Sequence, residues 1–234
     1  MRINKYLAQC ELGSRRSVEN LILSGLVSIN ENIVTNLAYN VKENDIVKVN
    51  NKTVAPQKNK VVIMLNKPKG YITSTKNQFE KLCVLNLVTD IKEKIYPVGR
   101  LDYNTEGLLI LTNNGELANS IIRPKFEIKK TYEVVFKPKP TAQQLQKLQS
   151  EMIIDNYKIK PATISNLIAT NNSLYKLHIT ICEGRNRQIR KMFQQTGLSL
   201  INLKRIKIGD LLLSGLKTGH YKHLTKNDIE KIFI

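Results

Sequence analysis

The stretch Gly99-Arg100-Leu101-Asp102-Tyr103-Asn104-Thr105-Glu106-Gly107-Leu108-Leu109-Ile110-Leu111-Thr112-Asn113-Asn114-Gly115 decides how this chain is read. Its apolar centre, residues 108–111, reads as a buried strand, and Asn113-Asn114-Gly115 is turn chemistry. Asp102 therefore lies in a loop leading into a core strand, with rigid structure on its far side. Such loops are where catalytic groups are commonly placed. On the local pattern alone, the favoured role for Asp102 is to cap a turn.

Working outward, residues 61–65, 132–136, 174–182 and 201–208 also read as strands. Residues 116–122, 141–152 and 186–195 read as helices, and 226–234 as a terminal helix with Thr225 as N-cap. Strands and helices do not alternate regularly. An α+β fold with a mostly antiparallel central sheet and flanking helices fits better than a doubly wound parallel sheet. Leu203-Lys204-Arg205-Ile206 reads as a strand with a basic outward face. In the helix around Gln188-Ile189-Arg190-Lys191-Met192-Phe193, the apolar side is Ile189, Met192 and Phe193, and the basic residues project elsewhere.

The N-terminal part is a separate small α/β unit. Ile3, Leu7 and Ala8 share a helical face, Gly13 ends that segment, and Ser14 can N-cap the next. Val18, Leu21 and Ile22 repeat at helical spacing, with Gly25 as C-cap. Two short strands follow, at 27–29 and 46–49. Arg2, Lys5, Arg15 and Arg16 crowd the helix ends, which suits a reader of RNA shape and charge. The domains expected are residues 1–53, a polar linker 54–60, and 61–234.

Composition narrows the class. Of 234 residues, 41% are hydrophobic, which is enough for a sizeable core. Lys and Arg number 37 against 19 Asp and Glu, a formal charge of +18. Residues 1–60 hold nine basic and five acidic side chains and the rest 28 and 14, so the excess is spread along the chain. That balance points to a polyanion, nucleic acid foremost. Cys10, Cys83 and Cys182 match neither a disulfide framework nor zinc spacing, and read as buried reduced thiols of a cytoplasmic protein. His178, His220 and His223 are too scattered to nominate a metal centre. No apolar run approaches membrane-spanning length.

The stretch 99–115 resembles the active-site motif of pseudouridine synthases, in the branch that modifies ribosomal RNA at single sites. There the pattern is Gly-Arg-Leu-Asp, then Thr-Glu-Gly-Leu-Leu and an apolar run ending in Thr-Asn-Asp-Gly; here Asn114 stands where Asp is usual. Leu65-Asn66-Lys67-Pro68-Lys69-Gly70, Lys130-Thr131-Tyr132-Glu133-Val134 and Glu183-Gly184-Arg185-Asn186-Arg187-Gln188-Ile189-Arg190 fit the same family in the same order. Residues 1–30 are similar to the alpha-L RNA-binding domain, through Arg2-Ile3-Asn4-Lys5, Gly13-Ser14-Arg15-Arg16 and Gly25-Leu26-Val27-Ser28-Ile29-Asn30. That domain usually has glycine after Asn30, where this chain has Glu31, so the local hairpin is the feature at issue.

The resemblance implies isomerisation of uridine to pseudouridine in ribosomal RNA, with large-subunit rRNA favoured over small. A non-catalytic assembly factor and a tRNA-directed synthase are the competing readings. It implies Asp102 as nucleophile, Arg190 as its bidentate cationic partner, and Tyr132 stacking on the uracil and moving a proton at C5. Arg100 would fill the gap left by the flipped base. Arg185, Arg187 and Lys67 would hold phosphates, as would Arg2, Lys5, Arg15 and Arg16 in the small domain. No metal or other cofactor is expected, nor a membrane. The expected partner is ribosomal RNA or a pre-ribosomal particle, bound by a monomer.

Overall fold

The computed structural model describes residues 1–57, 59–170 and 173–234. It divides into two compact units, Met1–Lys60 and Val61–Ile234.

In the small unit, helices α1 (Ile3–Gln9) and α2 (Ser17–Leu23) cover a sheet of β1 (Val27–Ile29), β2 (Asn32–Ile33), β3 (Val47–Val49) and β4 (Lys52–Thr53) in the order β2-β1-β3-β4. Ile3, Leu7, Val18, Ile22, Val27, Ile29, Val41, Val47 and Val49 form its core. The Ser14 hydroxyl accepts from Ser17 N at 3.1 Å, so it caps the turn that opens α2, as its position predicts. The β1–β2 hairpin closes through Asn30 and Glu31, both at positive φ (48° and 68°), with Ile29 paired to Asn32. The turn forms without the glycine that such a position favours. Within the expected linker 54–60, Lys58 lies outside the described residues. Val54 packs on the small core and Gln57 N donates to Gln9 O, so the start of that segment is tied to the small unit.

The large unit is built on one sheet. Its strands are β5 (Val62–Lys67), β6 (Tyr96–Pro97), β7 (Glu106–Thr112), β8 (Lys130–Lys137), β11 (Thr163–Ala169), β12 (Tyr175–Ile181), β13 (Ser199–Ile208), β14 (Leu211–Leu212) and β15 (Tyr221–His223). A separate hairpin, β9 (Met152–Ile154) and β10 (Tyr157–Ile159), lies between β8 and β11 in sequence. The sheet order is β11-β12-β8-β13-β7-β5-β15, with β6 on β7 and β14 on β13. Every pairing is antiparallel except β13 with β7. Its helices are α3 (Gly115–Ile122), α4 (Ala142–Leu148), α5 (Gln188–Gln195) and α6 (Lys226–Glu230).

Strand β7 shows why residues 108–111 are apolar throughout. Leu109 and Leu111 join the core under α5, with Val134, Phe136, Met192 and Phe193. Leu108 and Ile110 join the opposite core, with Ala118 and Ile121 of α3. A strand buried on both faces loses the alternation of a half-buried one. Asn114 caps α3, accepting from Glu116 N and Leu117 N.

Three expectations change. The helix read over 141–152 stops at Leu148, and Met152 begins a hairpin turned by Asp155 and Asn156. Of the cysteines only Cys83 is buried, while Cys10 and Cys182 are half-buried. Arg205 faces inward and is 4% exposed, whereas Lys204 is half-buried. Among the described residues, no helix is long and apolar enough to cross a membrane.

Candidate active site

Asp102 sits on a loop that its neighbours hold by main-chain contacts. Thr105 N donates to Asp102 O at 3.0 Å, and Gly70 N to Tyr103 O at 3.0 Å. The Thr73 hydroxyl donates to Leu101 O at 2.7 Å and accepts from Leu101 N at 3.2 Å. The strongest clamp is Lys67. It is fully buried, and its ammonium donates to Pro68 O (2.9 Å), Asp102 O (3.2 Å) and Thr105 O (2.9 Å). Three N–H donors meet three carbonyls, which uses the whole donor capacity of the group. Burial pushes this ammonium down to about 8, while Asp102 and Glu106 hold it up, so it stays charged at neutral pH. Lys67 therefore cannot hold an RNA phosphate as the sequence suggested. It fixes the backbone that carries Asp102 and leaves the carboxylate about one-third exposed, at 32%.

Arg190 reaches Asp102 from α5. Ile189, Met192 and Phe193 bury the apolar side of that helix, as its spacing predicts. The preceding loop is tied by buried Gln188, whose side chain accepts from Arg185 N (3.0 Å) and donates to Glu183 (3.1 Å). Arg190 Nε lies 3.8 Å from Asp102 Oδ2. Its Nη2 donates to Asn104 O (2.8 Å) and Thr105 Oγ1 (3.2 Å). The bidentate pair expected from sequence is thus a single long approach, because Asn104 and Thr105 take the other arm of the guanidinium. Nε is buried without a hydrogen-bond partner among the described residues. Burial and nearby Arg187 pull the Arg190 guanidinium down, and Asp102 opposes them.

Tyr132 and Arg205 stand side by side on neighbouring strands, in register across β8 and β13. Tyr132 is 7% exposed and belongs to the core under α5, yet it also lines the cleft. One position thus serves the core and faces the cleft. Arg205 Nη1 donates to Tyr132 OH at 3.5 Å and Nε to Leu108 O at 2.7 Å. Gly107 makes this close strand crossing possible. Its φ is +106°, and a Cβ there would lie 2.2 Å from Arg205 O.

A cleft of about 150 Å³ gathers Asp102, Tyr132 and Arg190 with Arg100, Arg185 and Arg187. Arg185 lies over the Tyr157 ring, 3.0 Å from its centroid. Arg2, Lys5, Arg15 and Arg16 belong to the small unit. There Arg2, Arg15 and Arg16 are exposed and Lys5 is half-buried. The sequence reading missed Arg205 and Lys130 as cleft residues. The available signal was alternation, since Leu203 and Arg205 share one face, as do Lys130 and Tyr132. Among the described residues no cluster of three His, Cys, Asp or Glu side chains could hold a metal.

Comparison with known proteins identifies the family. Residues 61–195 match the RNA pseudouridylate synthase family model, and residues 1–47 match the S4 domain. The chain is 38% identical to ribosomal large subunit pseudouridine synthase B of Bacillus subtilis (strain 168), over 99% of this chain and 95% of that one. It is 31% identical to the dual-specificity RNA pseudouridine synthase RluF of Escherichia coli (strain K12), over 100% of this chain and 78% of that one. A solved pseudouridylate synthase structure superposes with a TM-score of 0.70 at 27% identity, covering 99% of both chains. The chain belongs to the RNA pseudouridylate synthase family and carries an N-terminal S4 domain.

Proposed function

We propose that this protein converts one uridine of large-subunit ribosomal RNA to pseudouridine. The observation that carries the reading is the meeting of Asp102, Arg190 and Tyr132, from three separate segments, in one cleft. The reaction detaches uracil N1 from ribose C1′, turns the base and rejoins it through C5. It conserves every atom and electron, so no redox cofactor has a step to perform.

Asp102 is the nucleophile or base toward the ribose, held on a backbone that Lys67 and Arg190 fix. Arg190 sets an opposite charge 3.8 Å from the carboxylate and orients it. Tyr132 stacks on the flipped base and handles the C5 proton. Arg100 occupies the gap in the RNA, and Arg185 and Arg187 hold phosphates. Arg2, Lys5, Arg15 and Arg16 grip the RNA by charge. Similarity to the Bacillus subtilis protein over nearly its whole length favours the large subunit. The protein works as a cytoplasmic monomer on rRNA or a pre-ribosomal particle.

The test is to map pseudouridine in rRNA from cells with and without the protein, then to repeat the reaction with purified protein on a prefolded fragment. One large-subunit position should lose its modification without the protein and regain it in vitro. Unchanged maps would sink the reading.

A further inference from the structure

Arg205 has no task in this scheme. It is 4% exposed and lines the cleft beside Tyr132. Its Nη2 is buried and without a hydrogen-bond partner among the described residues. Lys130, two residues before Tyr132 on the same strand, lines the cleft as well. No ion pair among the described residues includes either cation. Burial, and after it the nearby Arg205, push the Lys130 ammonium down to about 8, with Cys182 opposing them.

A buried guanidinium without an ion-pair partner is costly even when two of its nitrogens are hydrogen-bonded, and a second cation beside it adds repulsion. Such a pair fits a site whose counter-charge arrives with the substrate. The phosphates of the RNA are assigned to Arg185 and Arg187; Arg205 instead stands beside Tyr132, which stacks on a base that enters neutral, so the charge to be met there is one that develops on the base. When the C1′–N1 bond breaks, its electron pair leaves on uracil and spreads over N1, O2 and O4.

We propose that Arg205, with Lys130 beside it, receives the negative charge of the detached uracil. This rests on the pseudouridine synthase reading. The electron deficit at ribose is met by a bond from the Asp102 carboxylate to C1′, or by loss of the C2′ proton to that carboxylate. When C5 attacks C1′, the uracil electron pair forms the new carbon–carbon bond. Asp102 is then released as a carboxylate, or returns the proton to C2′. The C5 hydrogen leaves as a proton and N1 gains one, so the product is an isomer. Preorganised cations aimed at developing charge act strongly in a site shut off from water.

The test compares two leaving groups. Full-length wild type, Arg205→Met and Arg205→Lys react in single turnover with saturating rRNA fragment, made with uridine or with 5-fluorouridine. Fluorine withdraws electrons and makes the base a better leaving group, so less help is needed. Loss of the N1-linked nucleoside is measured after nuclease digestion. Arg205→Met should cleave the uridine substrate about 100-fold more slowly, with RNA affinity changed by less than about threefold. On 5-fluorouridine the deficit should shrink to about 10-fold or less, and Arg205→Lys should recover most of the uridine rate. Equal deficits on both substrates, or a uridine rate within about threefold of wild type, overturn the inference. Should Arg205→Met fail to fold, Lys130→Met carries the test with the same two outcomes. A wild-type protein that makes no pseudouridine in this RNA would bring down the functional reading itself, which separates the two failures.

Discussion

The cations of the small unit and those around Asp102 are the same residue types in opposite surroundings. Arg2, Arg15 and Arg16 stand in solvent. Lys67 and Arg205 are 0% and 4% exposed. Charges 4 Å apart in water interact by about 1 kcal/mol, and several times more where the effective dielectric falls to about 20. Salt screens the first set over about 8 Å and barely reaches the second. Exposed cations suit a grip on phosphates that salt can loosen. Buried ones suit fixing a backbone or meeting charge at one atom. The same residue types thus stand in two electrostatic settings set by burial alone.

The largest expected effect lies on the single carboxylate of the cleft. Asp102→Asn is nearly isosteric and should keep fold and RNA binding, while single-turnover pseudouridine formation falls by roughly 10⁴-fold or more. A rate near wild type would remove Asp102 from the chemistry.

Next is Lys67, where the two kinds of cation make opposite predictions. Lys67→Met strands three carbonyls in the interior and should cost about 3 kcal/mol. For a unit of this size that is a fall in Tm of roughly 6–12 °C by calorimetry. Turnover should fall too, as the Asp102 loop loosens. The salt slope of RNA binding should not move. A lysine on a phosphate would behave the other way, leaving Tm alone and reducing the slope by about one.

Smaller again is Arg15→Ala/Arg16→Ala. If both contact phosphates, the slope of log affinity against log salt should fall by about two, while the single-turnover rate at saturating RNA stays near wild type. An unchanged slope with a collapsed rate would mean that the small unit helps to build the catalytic site.

The contrast in burial also marks where sequence reading succeeds and fails. The strand at 108–111, the amphipathic helix around Arg190 and the cap at Ser14 were legible because each rests on local periodicity or turn chemistry. The place of Asp102 followed from its neighbours. Lys67 was not legible. It ends β5, whose residues are buried on both faces, so no alternation tells which way a terminal lysine points. Two of its three acceptors, Asp102 O and Thr105 O, lie 35 and 38 residues away, beyond any local pattern. Arg205 was half legible. Leu203 showed the inward face, and a charged residue two places on should have been assigned to it. The β9–β10 hairpin was missed because Met152-Ile153-Ile154 extends the apolar spacing of α4. Asp155-Asn156 was the turn signal that should have stopped the helix.

The smallest effect concerns the small unit's scaffold, where Glu31 occupies a glycine-favouring position. At φ 68° a residue with a Cβ is strained by roughly 1–2 kcal/mol. Glycine would remove that strain but lose about 0.5–1 kcal/mol more entropy on folding. Glu31→Gly also removes the Lys48 ion pair, in which the Glu31 side chain is 76% exposed, so its loss costs well under 1 kcal/mol. The net expectation is a gain of about 0.5 kcal/mol, seen as a roughly twofold slowing of amide exchange at Val34, whose N–H donates to Val27 O across the hairpin. Glu31→Gln separates the causes, since it drops the ion pair and keeps the strain, and should be neutral or slightly destabilising. The β3–β4 turn at Asn50 and Asn51 has the same positive φ at both positions and serves as the unaltered reference. Faster exchange at Val34 in the glycine variant would show that the ion pair, not the backbone, holds this hairpin. In that case salt should destabilise the wild-type hairpin as it weakens RNA binding, and the small unit's surface charges would serve its fold as well as its grip.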